Sequence, residues 1–179
     1  MHSRFARKRQ RDSQAGISMI ELLIAGMILV ISSLGIMVLI STAIATNSRN
    51  KVDSTKSQLA GAVLEQIDST IIGSGTAPLA DCAGTAFTIN TAPGGAALSG
   101  SGIDFTESSP PANYHMDYVV TSPCSPSGTY QATYDVRWNV QVLPSTNTYL
   151  ITVGSRLKGV STSNLFFSLP TNVRVMLGN

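Results

Sequence analysis

The most constraining feature of the chain is an apolar run near its N-terminus. Residues 17–45 number 29, of which 21 are apolar and only Glu21 is charged. As an α-helix such a run reaches about 44 Å, which is enough to cross a hydrocarbon core of about 30 Å. A secretory signal peptide has an apolar region of only about 7–15 residues. The run therefore predicts a membrane-spanning helix.

The charges that flank the run predict its orientation. Residues 1–16 hold five basic side chains and one acidic side chain. The remaining 163 residues hold seven basic and nine acidic side chains, so the net charge of +2 comes from this leader. By the positive-inside rule the leader stays in the cytoplasm and the C-terminal part of the chain lies outside.

Helical periodicity continues beyond the apolar run. Apolar residues recur at helical spacing at Val52, Leu59, Ala60, Val63, Leu64, Ile67 and Ile71. Charged residues, among them Lys56, occupy the other positions. All eight prolines lie at or after Pro78, so no proline interrupts this region. We expect one helix over 17–72, with its transmembrane part at about 17–45 and an amphipathic second half.

Residues 73–179 have a different composition and a different period. They hold 26 serines and threonines and 11 of the 15 glycines. Every second residue over 134–142 is apolar, and the alternation resumes over 149–157 after a short connection. This pattern predicts an antiparallel hairpin with one buried face.

Weaker strands are expected around 87–89, 116–121, 165–169 and 173–177. The segments 74–84, 91–102 and 122–128 are rich in Gly, Pro and Ser and are predicted to be loops. The hairpin needs a cover for its apolar face, and the amphipathic half of the helix is the obvious candidate. The expected fold class is therefore α+β, with a long N-terminal helix packed on an antiparallel β-sheet head.

A carboxylate inside the apolar run requires an explanation. Glu21 costs at least a few kcal/mol in lipid unless it has a partner. Cleavage after Gly16 would give Ile17 a free α-amine, and the amine of one subunit could then meet the Glu21 carboxylate of a neighbour. The alternative is that Glu21 only favours the dipole at a helix N-terminus.

The segment 16–25, Gly-Ile-Ser-Met-Ile-Glu-Leu-Leu-Ile-Ala, resembles the N-terminal signature of type IV prepilins and the related pseudopilins. The resemblance is close through the apolar helix and covers the rest of the chain only in its pilin-like architecture. One departure is Ile17, where the family most often has phenylalanine. The helix segment 30–39 and the strand around Trp138 also resemble the minor pilins known as pilus modification proteins.

This resemblance implies that a prepilin peptidase cuts between Gly16 and Ile17 and that the new amine of Ile17 is N-methylated. It assigns to Glu21 a role in the register of subunits in a filament. The implied partners are the peptidase, other pilin or pseudopilin subunits through the N-terminal helix, and an assembly platform in the inner membrane. The implied location is the bacterial inner membrane, with a periplasmic head, and then a pilus or pseudopilus.

The cysteines and the histidine of the tail predict a disulfide and no metal. Cys82 and Cys124 lie in predicted loops on the periplasmic side, where an oxidising compartment favours one disulfide. His115 is the only histidine outside the leader and no close cysteine pair occurs, so a zinc site is not expected. His115 and Asp117 are either a titrating pair or two exposed side chains. No cofactor is expected.

The sequence contains no recognisable catalytic motif. The Gly-x-Ser-x-Gly, Gly-x-Gly-x-x-Gly and phosphate-loop patterns are absent. The tail has five scattered acidic residues, with no spacing that indicates a carboxylate pair: Asp81, Asp104, Glu107, Asp117 and Asp135. We therefore do not expect an enzyme.

Three functional hypotheses remain. The first is a minor pilin or pseudopilin of a type IV pilus or a type II secretion pseudopilus. The second is a single-pass, membrane-tethered periplasmic binding or enzyme domain, for which the leader stays uncut. The third is a competence pilin that takes part in DNA uptake. The four basic and five acidic residues of 73–179 argue against strong nucleic-acid binding, which needs several cationic contacts.

Overall fold

The computed structural model of the chain describes residues 18–70, 75–144, 147–159 and 169–178. These residues form one helix, α1 Met19–Asp68, and nine strands. The strands are β1 Thr76–Ala80, β2 Ala86–Asn90, β3 Gly94–Gly95, β4 Leu98–Ser99, β5 Gly102–Ile103, β6 His115–Ser122, β7 Thr129–Val142, β8 Thr148–Lys158 and β9 Thr171–Gly178. The expected α+β class is confirmed, with a long N-terminal helix packed on an antiparallel sheet.

The chain divides into two compact units at the Ala45–Thr46 bond, inside helix α1. In the first unit, all 17 large apolar side chains between Met19 and Ile44 are at least 54% exposed. By length and composition this helix is able to cross a membrane. The result agrees with the membrane-spanning segment expected from the sequence.

The serines in the apolar half of the helix find partners within the helix itself. The hydroxyls of Ser32, Ser33 and Ser41 donate to carbonyl oxygens four residues earlier, at 2.7, 2.8 and 2.9 Å. Polar groups inside a bilayer must be satisfied within the protein, because no water is available there. These hydroxyls are therefore compatible with an apolar surrounding, and the helix continues through them.

Helix α1 ends at Asp68, earlier than the expected end at residue 72. The hydroxyls of Ser69 and Thr70 both donate to the carbonyl oxygen of Gln66, at 2.9 and 2.8 Å. The Thr70 N–H donates to the carbonyl of Ile67, which tightens the last turn. Serine and threonine compete with the helical backbone in this way, so the helix stops before the glycines that were expected to end it.

The main sheet has five antiparallel strands centred on β7. One edge of β7 pairs with β6 and β3, the other pairs with β8, and β9 pairs with β8. The predicted hairpin is thus β7–β8, and the strands expected at 87–89, 116–121 and 173–177 are β2, β6 and β9. The strand expected at 165–169 lies outside the described residues except for Leu169, which is not in a strand.

Two of the predicted loops contain strands, so these predictions are wrong. The segment 74–84 includes β1, which pairs with β2, and 91–102 includes β3, β4 and the start of β5. Pro78 is tolerated in β1 because a two-stranded ribbon does not need a donor at every position. At Gly95, with φ of +124°, a Cβ would lie 2.4 Å from the Trp138 carbonyl oxygen. Glycine there permits a close approach of β3 to β7.

The core lies between the second half of α1 and one face of the main sheet. Ala60, Val63 and Ile67 of the helix are fully buried. They belong to the same apolar cluster as Trp138 and Ile151 of the sheet. Burial of a side chain such as Ile67 stabilises the fold by about 1.5–3 kcal/mol. The prediction that the amphipathic half of the helix covers the apolar face of the hairpin is confirmed.

Trp138 occupies the middle of this core and is completely buried. Its indole Nε1 donates to the carbonyl oxygen of Asn90 at 2.9 Å. The ring of Tyr114 lies 6.2 Å from it, centroid to centroid, and the Tyr114 hydroxyl donates to the Ala92 carbonyl at 2.8 Å. Both aromatic residues therefore bury an apolar body while their polar atoms bind the carbonyls at and just after the end of β2.

Lys56 lies in the buried stripe of the helix and not on its charged side, contrary to the sequence-based expectation. Only 1% of the residue is exposed. Its ammonium contacts the Asp53 carboxylate at 2.6 Å and donates to the Leu169 carbonyl at 2.6 Å. The position fills the gap between Val52 and Leu59 in the apolar spacing, so its stem packs while its charge is paired.

The buried position of Lys56 predicts a large effect of truncation. We expect Lys56→Ala to lower the free energy of unfolding by about 2 kcal/mol, because the packing of the stem and a charged hydrogen bond are both lost. Denaturant unfolding of the full chain in detergent, followed by the fluorescence of Trp138, measures this change. Lys51, which is exposed, provides the control, and Lys51→Ala should stay within about 0.5 kcal/mol. Equal effects of the two substitutions would contradict the buried placement.

Candidate functional site

Glu21 lies at the start of helix α1, as its third residue. The carbonyl oxygen of Ser18 accepts hydrogen bonds from the N–H groups of Glu21 and Leu22, at 2.9 and 3.1 Å. Glu21 is exposed. The predicted cleavage site, between Gly16 and Ile17, lies outside the described residues. The helix thus begins at Met19, close after that site in sequence.

The surroundings of Glu21 are apolar. The neighbouring positions carry Ile20, Leu22 and Leu23, which are each at least 62% exposed. No ion pair to Glu21 occurs among the described residues. In an apolar medium such a carboxylate is costly unless a cation or hydrogen-bond donors compensate its charge.

Two glycines interrupt the apolar surface of the same helix. A Cβ built on Gly26 or on Gly35 meets nothing within 4 Å. Both residues also lie inside a helix, where glycine costs about 1 kcal/mol relative to alanine. The described part of the chain therefore offers no packing reason for a glycine at either position.

The structure contains the disulfide that the sequence analysis expects, between Cys82 and Cys124. The bridge connects the turn after β1 to the segment after β6. The Cys82 N–H also donates to the carbonyl of Val119 in β6, at 3.2 Å, and an Asp81 carboxylate oxygen accepts from the Val119 N–H at 3.3 Å. The β1–β2 hairpin is thus attached to β6 by a covalent bond and by polar contacts.

His115 and Asp117 lie two residues apart on β6, but each of them binds a different residue. His115 Nδ1 is 3.0 Å from the carbonyl oxygen of Pro111. Because a carbonyl only accepts, Nδ1 carries the proton in this contact. Asp117 is exposed and binds the Lys158 ammonium. The interpretation as a titrating pair is therefore not supported by these contacts.

A buried group of ions, which was not predicted from the sequence, lies on the other face of the sheet. Arg137 binds Asp135 in a two-pronged arrangement, Nε to Oδ1 and Nη2 to Oδ2, both at 2.9 Å. Arg156 adds a third contact, from its Nε to Oδ2 of Asp135 at 3.0 Å. Asp135 and Arg137 are only 4% and 5% exposed. One carboxylate, that of Asp135, thus pairs with two guanidinium groups.

This ion group holds the segment after β5 on the sheet. Arg137 Nη1 donates to the carbonyl oxygens of Glu107 and Asp104, at 2.8 and 3.4 Å. The ring of Phe105 lies 5.3 Å from the guanidinium of Arg137 and 4.8 Å from that of Arg156. Cations at such distances from a ring centroid are attracted to the ring.

Part of this ion group could have been predicted from the sequence. Asp135 and Arg137 alternate with Val136 in a strand, so they lie on one face with opposite charges. Arg156 joins them only because the β7–β8 register places it opposite Asp135. That register is a long-range property, which the scattered spacing of the acidic residues did not reveal.

The described residues include no group of three or more His, Cys, Asp and Glu side chains that could hold a metal ion. Asp104, Glu107, Asp117 and Asp135 nevertheless lie in one region of the head, around the ion group. Asp81 is elsewhere, beside the disulfide. The hydrogen bonds that Asp104 accepts from Thr106 lower the pKa of this carboxyl below its usual value.

Arg137 makes the two-pronged contact to the buried Asp135 and also donates to the carbonyl of Glu107, so its removal takes away several buried, charged hydrogen bonds at once. We expect Arg137→Met to lower the free energy of unfolding by about 3 kcal/mol, since Asp135 keeps only Arg156. Hydrogen exchange of the backbone amides over 104–107 should accelerate, because the two carbonyls lose their donor. Mass-spectrometric hydrogen exchange measures this effect. Arg174→Met, at an exposed position of β9, is the matched control. Unchanged exchange over 104–107 in Arg137→Met would contradict the assigned role.

Comparisons of the chain with protein-family models, with curated proteins and with solved structures found no match. Function is therefore inferred from the N-terminal sequence, the exposed apolar helix and the geometry of the head.

Proposed function

We propose that the chain is a structural subunit, a minor pilin or pseudopilin, of a type IV pilus or a type II secretion pseudopilus. The observation that carries the proposal is the carboxylate of Glu21. It lies near the start of an exposed apolar helix and has no ion-pair partner among the described residues. The sequence places it five positions after Gly16, which ends a basic leader.

The proposed role of Glu21 follows from the cost of a carboxylate in lipid. That cost is at least a few kcal/mol and falls when a cation pairs with the group. After cleavage following Gly16, Ile17 would carry an α-amine. The amine of a neighbouring subunit would neutralise Glu21, and because the pair forms at only one relative position, it would set the axial register.

The apolar half of the helix would supply the cohesion. In a filament its exposed apolar side chains would pack against the helices of other subunits in place of lipid. Membrane helices associate through close van der Waals packing, which small residues permit. Gly26 and Gly35, which nothing within the described chain requires, would allow such an approach.

The second candidate is a membrane-tethered periplasmic binding domain. A polar cavity beside Arg156 favours a binding role for the head. A tether alone, however, gives Glu21 no cationic partner. A role in DNA capture is less well supported, because Arg137 is buried on Asp135 and is not available for phosphate contacts.

Processing of the N-terminus tests the proposal. We expect the chain from bacterial membranes to begin at Ile17 and to be one methyl group heavier than its sequence. In cells that lack the prepilin peptidase it should begin upstream of Gly16. Intact mass and N-terminal sequencing measure both. A chain with an uncut leader in both strains would contradict the proposal and favour the tethered domain.

A set of Glu21 variants separates a register role from an interaction with the helix dipole. The dipole explanation predicts that Glu21→Gln loses only about 0.3–1 kcal/mol of helix stability, so its assembly into fibres should stay close to that of the wild type. The register explanation predicts that Glu21→Gln is processed normally but that its amount in the sheared fibre fraction falls about tenfold or more. This is the fold-change expected when one charged, hydrogen-bonded pair is lost.

Glu21→Asp keeps the charge and should retain part of the incorporation. Glu65→Gln, at an exposed position of the same helix, is the control and should assemble normally. Quantitative immunoblots of fibre and membrane fractions measure the distribution. Normal assembly of Glu21→Gln would contradict the register role.

A further inference from the structure

The head has a cavity of about 400 Å³ on the sheet face opposite the apolar core. Its floor includes Asp135 and Arg137, which alternate along β7 with the core residues Val136 and Trp138. Its rim comes from the segment 105–110, after β5, and from β6 and β8. Pockets that hold small molecules begin at about 300 Å³. The cavity is therefore large enough for one small ligand.

Strand register brings the charged residues of the cavity together. Asp117 of β6 lies opposite Asp135 of β7, and Asp135 lies opposite Arg156 of β8. Lys158 follows two positions later on β8, so its side chain lies on the same face as that of Arg156. Three strands thus present one row of charges at the cavity.

Arg156 has unused binding capacity. Its Nε and Nη2 both contact one oxygen of Asp135, at 3.0 and 2.9 Å, and the same carboxylate is shared with Arg137. Its Nη1 makes no hydrogen bond within the described part of the chain. The side chain is 37% exposed. One negative charge therefore faces two positive ones at this point, a local surplus that Glu107 balances over the lining as a whole.

Lys158 lies beside this surplus charge. Its ammonium has three donors, of which one is directed at Asp117, and its side chain is 51% exposed. An anion in the cavity could accept from both Arg156 and Lys158. The fork of an arginine suits the planar geometry of a carboxylate.

The opposite side of the cavity offers acceptors. One oxygen of Glu107 accepts from the Ala97 N–H at 3.0 Å, which leaves the other oxygen available. Asp117 likewise uses only one carboxylate oxygen for Lys158. With the proton of His115 on Nδ1, toward Pro111, the Nε2 of the ring is an acceptor in that tautomer. These three acceptors have no donor among the residues that the structure describes, so a ligand rich in hydroxyl groups would suit them.

We propose that this cavity binds a sugar acid, a small polyhydroxylated monocarboxylate. Its carboxylate would bind Arg156 and Lys158, and its hydroxyls would donate to Glu107, Asp117 and His115. The lining holds three basic and three acidic side chains and is neutral as a whole, so a doubly charged phosphate would leave one more negative charge unpaired than a monocarboxylate does. The inference concerns the head and does not depend on the role of the N-terminal helix.

Ligand titration of the full chain in detergent tests the inference, with glucuronate as the probe. Glucose lacks the carboxylate and acetate lacks the hydroxyls, so each should bind about tenfold more weakly than glucuronate, or worse. Isothermal titration calorimetry measures the three affinities. Glucuronate binding no tighter than acetate, or tighter binding of glutamate or inorganic phosphate, would overturn the assignment to a sugar acid.

Variants locate the site. Lys158→Gln and Arg156→Gln should each weaken glucuronate binding by about tenfold, because a charged hydrogen bond is lost. Arg174→Gln on β9 is the control and should leave binding unchanged. The exposed Lys158 makes the first variant informative even if Arg156→Gln does not fold. Unaltered glucuronate binding by Lys158→Gln, in a variant that unfolds like the wild type, would contradict the proposed site.

Discussion

The contact between the buried stripe of helix α1 and the Trp138 face of the sheet is the interaction on which the head depends. Val63 and Ile67 are fully buried, and the helix and the sheet share one apolar cluster. Each element alone would expose an apolar face to water, at a cost of about 25 cal/mol for each Å². The first half of the same helix has no such cover among the described residues. The large apolar side chains of this first half are exposed, and by length and composition it is able to cross a membrane.

The other face of the sheet is held by charge instead of apolar packing. Asp135 compensates two guanidinium groups, and Arg137 fixes the carbonyls of the segment after β5. Such an arrangement is costly to desolvate, so its net contribution to stability is smaller than its contacts suggest. It does give that segment one defined position. Because Arg137 and Arg156 share the single carboxylate of Asp135, Arg156 keeps a local surplus of positive charge and an unused donor at the cavity.

The sequence predicted those features that arise from local periodicity. The apolar run, the amphipathic half of α1 and the β7–β8 hairpin each have one repeating spacing, and all three are present. The predictions failed where a residue had two possible roles. Lys56 was assigned to solvent by its charge although its spacing is that of the buried stripe, and Pro78 and Gly95 were assigned to loops although they lie in strands. The ion group depended on strand register, which local pattern does not contain.

The central functional claim is that the Glu21 carboxylate pairs with the N-terminal amine of a neighbouring subunit. Treatment of isolated fibres with an apolar carbodiimide tests this directly, because the reagent joins a carboxylate to an adjacent amine as an amide and leaves as a urea. The account predicts a cross-linked peptide between Glu21 and the N-terminal residue of another subunit, absent from Glu21→Gln. Fibres that contain the chain but yield only a carbodiimide adduct on Glu21, with no cross-link, would contradict it.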